Sequence, residues 1–302
     1  MIKNVILASL FFCGSLAMAQ SNLLNAKVPS EIGKKTPAQL NSDNDKPMPY
    51  GYVHDRDVLM GKTTWEVIDL DERINFPLYY PIDTSNIGKE RRSLFDVLLK
   101  GIKSGKITEV YTDSYFNTKK TFKDMSTSFT YIDTTNAGKE EINNYPEDYK
   151  AGKKVLDPQY INKKELGAID VSDYKIKGFW YFDKRQSELK YRLIGICPVS
   201  PEAKEIGAEN QDFIELFWVY FPAVRDVLHE AKAFNNRNSA MPVTFDDLLN
   251  SRRFNGEIYK EENVYGDREI SEYMRENSQM QLLESDRVKD KIRDFEHDMW
   301  NY

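Results

Sequence analysis

The chain has 302 residues, 40% of them hydrophobic and 13% aromatic, enough to bury a sizeable core in one large domain or two small ones. Lys plus Arg total 42 against 48 Asp plus Glu, and a net charge of −6 leaves no basic footprint for nucleic acid. Residues 1–19 read as a secretory signal: Lys3 is the charged start, Val5 to Phe12 the apolar run, and Ala17-Met18-Ala19 the cleavage site. The apolar run is too short to span a bilayer. Bulky Phe12 before Cys13 fits lipoprotein processing poorly. If Cys13 leaves with the signal, Cys197 is the only cysteine remaining and no intrachain disulfide can form. Residues 20–48 are polar and read as a flexible leader, with order beginning near Pro49.

Thr63 and Glu66 have the spacing of a capping box, and Val67, Leu70 and Ile74 share a helical face. This predicts a helix over Thr64–Asn75, stopped by Pro77 and followed by an extended Phe76–Tyr80. Leu94, Val97, Leu98 and Ile102 predict a second helix over Arg91–Ser104, with Gly105 just past its end and a strand over Ile107–Tyr111. Phe122–Thr134 is expected to hold one or two strands, and Asn136–Lys154 a long loop. Asp173–Val199 reads as a hairpin. Tyr174, Ile176, Trp180 and Phe182 share one face, and Leu189, Tyr191 and Leu193 repeat the pattern after a polar turn. In this strand Cys197 reads as a buried small hydrophobe rather than a reactive thiol. Phe213–Phe221 is apolar on both faces and suits a central strand. Pro222 can open a helix carrying Val224, Val227, Leu228 and Ala231. Thr244 can cap a short helix that precedes a strand over Glu257–Lys260.

LFDVLLKGIKSGKIT (94–108) and TFDDLLNSRRFNGEIY (244–259) share Phe-Asp-x-Leu-Leu, a Gly and an Ile. The match suggests an internal duplication of a helix–helix–strand unit, with Gly256 answering Gly105. The fold class expected is α+β: an antiparallel sheet core with helices, in a first lobe (49–150), a second lobe (151–270) and a C-terminal helical tail (271–302). In the tail Val288, Ile292, Phe295 and Met299 form an apolar stripe in a charged segment. That stripe can pack on its own domain or on a partner, and 284–302 is expected to serve assembly more than the fold.

Catalytic signals are weak. His54, His229 and His297 have no metal-ligand spacing between them and read as surface or capping residues. Asp69, Asp71 and Glu72 could supply an acid and a base, but an acidic surface produces such groups anyway. The chain has neither a Gly-rich phosphate loop nor G-x-S-x-G. No cofactor, metal or catalytic residue is assigned.

YGYVHDRDVLMGKTTWEVIDLDERINFPLYYPID, FWYFDKRQSELKYRLIGICPVSP, LFWVYFPAVRDVLHEAKAFN and FDDLLNSRRFNGEIYKEENVYGDREI resemble the GldN/PorN family of gliding-motility and type IX secretion proteins in the Bacteroidetes. The resemblance runs from about Pro49 to Ile270 and carries little past Asp286. It implies a non-enzymatic periplasmic component that forms a ring with an outer-membrane lipoprotein and meets the periplasmic part of an inner-membrane motor protein. It further implies self-association in that ring and membrane contact only through partners. Exposed aromatics at Tyr79 and Tyr80, with the stripe Val288, Ile292, Phe295 and Met299, are the interface candidates. The other reading is an exported carbohydrate-binding or glycoside-acting protein, with aromatic sugar platforms and Asp69, Asp71 or Glu72 as its acid and base.

Overall fold

Val58–Asp69 is a twelve-residue strand, β1, in the computed structural model of the chain. The structure describes residues 46–82, 92–150, 154–208, 210–235, 243–275 and 277–300, so the expected signal and all but the end of the leader lie outside it. The helix expected over Thr64–Asn75 is corrected by this strand. Its helical spacing is real, but Ile74 points to solvent, while Thr64, Trp65, Glu66 and Ile68 are buried in succession. Such burial requires cover on both faces, which a strand inside a sheet has and a surface helix lacks. A single turn at Arg73–Asn75 follows, then a short helix α1 (Phe76–Tyr79) in place of the expected extended segment.

Helix α2 (Leu94–Lys103) forms inside the expected range. The Ser93 hydroxyl accepts from the Asp96 amide at 3.2 Å, and Gly105 takes the left-handed φ of 73° that ends the helix. The strand expected over Ile107–Tyr111 does not form. Ile107 and Val110 are drawn into the core, and Tyr111 makes only isolated bridges to Lys119 and Trp218. Helix α3 (Phe122–Phe129) takes the first half of the segment expected as strand, because Thr121 and Asp124 close a capping box. Strand β2 (Thr130–Thr134) follows. Helices α4 (Asn136–Asn144) and α5 (Pro146–Lys150) replace the expected long loop, with Thr135 capping α4. Strand β3 (Ile161–Glu165) returns antiparallel to β2.

The hairpin forms as the alternation predicts, from β4 (Asp173–Asp183) and β5 (Glu188–Pro201). The expected central strand Phe213–Phe221 is instead two short strands against β5, β6 (Phe213–Glu215) and β7 (Val219–Tyr220). Leu216, Phe217 and Trp218 between them are buried, so the sequence's two-sided apolarity marks core without marking strand. Helix α6 (Phe221–Glu230) carries Pro222 in its first turn. The two-residue strands β8 (Lys232–Ala233) and β9 (Val243–Thr244) pair, and α7 (Phe245–Asn250) is capped by Thr244, whose hydroxyl accepts from the Asp247 amide at 3.0 Å. Strand β10 (Glu257–Glu261), helix α8 (Ile270–Tyr273) and helix α9 (Ser278–Trp300) end the described chain.

The main sheet has the order β10-β1-β4-β5-β6, with β7 also on β5, and its pairs are antiparallel. The fold is α+β, as expected. Pro47–Thr84 and Arg91–Tyr302 cluster as one unit, and its sheet takes β1 from one expected lobe and its other strands from the second. One side of the sheet carries the large core, where Ile68, Tyr174, Ile176, Leu193 and Ile196 meet Phe95, Leu98, Phe221, Leu228 and Phe245 from α2, α6 and α7. The fold does not confirm the duplication. Phe95 is the second residue of α2 and Phe245 the first of α7, so the caps slip by one against the aligned motif. The left-handed position after α7 is Arg252, φ 49°, and not Gly256.

Candidate functional site

The outer edge of β5 is paired with β6 and β7 only over its second half, Gly195–Pro201. Beside the first half lies a groove of about 1220 Å³, walled by β5, by the α6–α7 pair and by the extended segment Met48–Val53. Tyr50 anchors that segment. Its hydroxyl donates to Asn250 Oδ1 at 2.7 Å, and its ring lies 4.5 Å from the Arg192 guanidinium and 4.2 Å from that of Arg225. Arg192 also donates to the Gly51 carbonyl at 3.2 Å, and Arg185 to that of Tyr52 at 2.9 Å. Burial, ahead of the neighbouring charges, pushes the Tyr50 hydroxyl above its usual range. Behind Tyr50, Arg225 holds Asp246 through two bonds of 2.7 and 2.9 Å, joining α6 to α7. Asn250 adds a third bond to the same carboxylate at 2.8 Å.

A second charged pair lies within the sheet. Glu66 of β1 is buried and receives both terminal nitrogens of Arg252, at 3.2 and 2.7 Å. The Arg252 guanidinium is packed 4.1 Å from the Tyr191 ring and 4.9 Å from that of Trp180. The left-handed Arg252 thus trades backbone strain for an ion pair that ties the end of α7 to β1. On the other side of the sheet Trp65, Cys197 and Trp218 form a small cluster with Tyr111, Phe116 and Tyr259. Lys177 and Lys260 flank Trp65 at 4.9 and 4.7 Å from its ring, and Lys177 donates to the Ser114 carbonyl. Burial, then the facing Lys260, lowers the Lys177 ammonium from its ordinary value. Burial pushes the Cys197 thiol well up, so it is held as the inert thiol.

The profile of the family described as gliding motility associated protein GldN matches residues 53–301. The chain belongs to this GldN family. No curated protein matches the chain. The match covers β1 through α9, and so runs past Asp286 through the helix where the sequence resemblance carried little. Membership makes this GldN protein a component of the gliding-motility and type IX secretion machinery, in a family of structural components not known as enzymes.

The expected interface residues of the GldN chain divide. Tyr80 is exposed beside Tyr79 and Phe76, with ring centroids 4.8 and 5.4 Å away, while the Tyr79 hydroxyl donates to the Ile169 carbonyl. Val288 and Ile292 are buried against Ile258, and Phe295 meets Phe182 edge-on at 5.9 Å, so the stripe lies on the chain's own sheet. Met299 is half-buried near the end of α9. The carboxylates do not converge on a cleft. Asp69 accepts from the Asp71 amide at 2.8 Å, and Glu72 accepts from the Asn255 side chain at 2.8 and 3.1 Å, so both shape the turn after β1. Among the described residues His229, Asp246 and Asp247 bring ligand atoms within 4.8 Å of one another. Asp246 is already bound on both oxygens by Arg225, and that guanidinium opposes a cation there. His54 stacks edge-on with Tyr52, and His297 lies on α9. The arginine pairs were missed in the sequence because their partners lie far apart along the chain.

No helix among the described residues is long and apolar enough to cross a membrane.

Proposed function

We propose that this GldN protein is a non-enzymatic scaffold of the type IX secretion and gliding apparatus. It assembles with an outer-membrane lipoprotein into a ring in the periplasm and meets the periplasmic part of an inner-membrane motor protein. The observation that carries this reading is the family match across residues 53–301, which takes in β1 through α9. The chemistry agrees with it. The buried Glu66, Arg225 and Asp246 and the half-buried Arg252 are consumed in pairs that join elements, which is how a rigid building block spends them. Apolar side chains are offered instead on the outside: Tyr80 by the α1 turn, Leu282 and Leu283 on α9, and Val264 and Tyr265 on the loop after β10. Aromatic and aliphatic residues so placed suit contacts in a large assembly.

The test is gentle extraction of outer membranes followed by capture of the tagged chain. A lipoprotein should co-purify in stoichiometric amount. Capture of the chain alone, from membranes in which secretion is intact, would sink the reading. Tyr80→Ala should lower the recovered lipoprotein without changing the chain's unfolding temperature.

A further inference from the structure

The loop that leaves β10 is built to stand out. Asn263 Oδ1 accepts from the amides of Tyr265 and Asp267 at 3.0 and 3.1 Å, and Asp267 Oδ1 accepts from the Asn263 amide at 3.1 Å. Asp267 and Gly266 take left-handed φ values of 58° and 78°, which turn the chain back. The loop is therefore ordered from within, yet its tip presents Val264 at 92% and Tyr265 at 72% exposure. A fixed loop carrying an exposed tyrosine has already met the ordering entropy that binding demands. Glu262 at its base is also exposed. Glu261 is paired with Lys62 at 2.9 Å, which leaves the carboxylates of Glu262, Asp267 and Glu269 against the single arginine, Arg268.

The groove beside β5 has the opposite charge character. Asp183 in its wall is engaged by Arg185 and Lys190, and Asp246 by Arg225, while the exposed Asp247 takes the Thr244 hydroxyl, so Arg185, Lys190, Arg192, Arg225 and Arg253 outnumber the three carboxylates of the lining. Arg192 and Arg253 also line it, and among the described residues neither is paired with a carboxylate. Arg192 already packs on the rings of Tyr50 and Tyr181, which shows the groove accepting aromatic faces.

Loop and groove lie at the same height on opposite edges of the sheet. The Glu262 amide donates to the Thr63 carbonyl, Thr63 pairs with Phe179, and Phe179 pairs with Arg192. One row across the sheet thus begins at the loop and ends at the groove, three strand spacings away, or about 14 Å. One copy cannot bring its own loop round to its own groove. Two different patches on opposite edges of one molecule make a head-to-tail contact, the kind that repeats around a ring.

We infer that the Glu262–Asp267 loop of one copy enters the arginine-lined groove of a second copy, with Tyr265 lying in the groove beside the Arg192–Tyr50 stack and Glu262 facing Arg253. This rests on the ring reading above and assigns it a contact between like subunits. Tyrosine and arginine at such a centre are the residue types that carry most of an interface's affinity.

Two full-length proteins, both with Cys13→Ser, test it. One carries Val264→Cys on the loop and the other Gln186→Cys at the groove mouth; both positions are exposed, and Cys197 is buried and silent. On mild oxidation the mixture should give disulfide-linked dimers severalfold above either protein alone. Tyr265→Ala on the loop copy should reduce that yield severalfold. Arg253→Glu on the groove copy should do the same, and Glu262→Arg on the loop copy should restore it. A mixture no richer in dimers than its components overturns the inference. So does a preference for loop-to-loop or groove-to-groove links, which would make the contact symmetric. Lipoprotein co-purification of the same variants separates the two readings. Intact capture without mixed dimers removes the head-to-tail contact alone. Mixed dimers from a chain that captures no lipoprotein keep the contact and remove the ring partner.

Discussion

Glu66 and Arg252 show at the scale of single residues what the fold depends on. The carboxylate is almost wholly buried, so removing the arginine leaves a charge that water cannot reach. Arg252→Ala is expected to cost about 3 kcal/mol, read as a lower denaturation midpoint. Arg252→Gly, which relieves the left-handed backbone, should recover a fraction of that. The double change Glu66→Met with Arg252→Met should cost less than the sum of the two singles, because no charge is stranded. Tyr50 offers a graded series. Tyr50→Phe keeps the ring against both arginines and should lose about 1 kcal/mol with the Asn250 bond. Tyr50→Ala should lose roughly 2–3 kcal/mol and open the Met48–Val53 segment to protease, measured by the rate of cleavage there. Cys197 should resist thiol reagents in the native state, since it is wholly buried and its pKa is pushed up; labelling within minutes without denaturant would contradict its placement.

The elements differ in how far local sequence decided them. The β4–β5 hairpin was legible because its alternation, its polar turn and its burial all agree. Helix α2 was legible from its apolar spacing and from Gly105 past its end, and α7 from its cap at Thr244. Strand β1 was not, because its helical spacing competes with strand pairing to β4 and β10, and those partners lie far along the chain. Helix α3 was missed because its cap at Thr121 precedes a segment rich in Ser and Thr that reads equally well as strand. The exposure of Tyr80 was legible, while the groove was not, because it needs segments from separate parts of the chain brought together by the fold. The terminal helix was legible as a stripe but not in its docking surface. Ser285 Oγ on α9 accepts from the Ile258 amide at 2.9 Å, so the helix covers an otherwise open edge of β10 as well as its apolar side chains. Burial of Val288 and Ile292 is worth about 3–6 kcal/mol before entropy losses. Truncation after Asn277 is therefore expected to lower Tm by roughly 10 °C. An unchanged melting temperature would show that the helix contributes nothing to the fold.

For the molecule as a whole, alkaline pH is the informative variable. Burial foremost raises the hydroxyls of Tyr174, Tyr191 and Tyr259 above the ordinary value near 10. Above that pH the unfolded chain gives up these protons while the folded chain keeps them. The unfolded state then binds fewer protons, and stability falls with rising pH by about 1.4 kcal/mol per pH unit for each tyrosine. Lys177 acts in the opposite sense. Its lowered value means that the unfolded chain binds more protons just below the ordinary lysine pKa near 10.4, so stability rises with pH there. One lysine opposes these three tyrosines, Tyr50 and the Cys197 thiol, so net loss is expected, beginning near the ordinary thiol value of about 8.5 and steepening above about pH 10. Tyr174→Phe should flatten the slope in denaturant melts at increasing pH; an unchanged slope would remove Tyr174 from the account. The place of β1 between β4 and β10 also sets an order in time. Thr64 must wait for Gly178 on one side and for Glu261 on the other, almost the whole length of the described fold away. A chain that appears from its N-terminal end therefore holds β1 unpaired until β4 emerges, and with one edge open until nearly all the rest has followed. Loop closure over such a distance is slow, and an open strand edge invites aggregation in the interval. Refolding should accordingly be slow and concentration-sensitive, and the nascent chain should depend on a holding chaperone until β10 arrives.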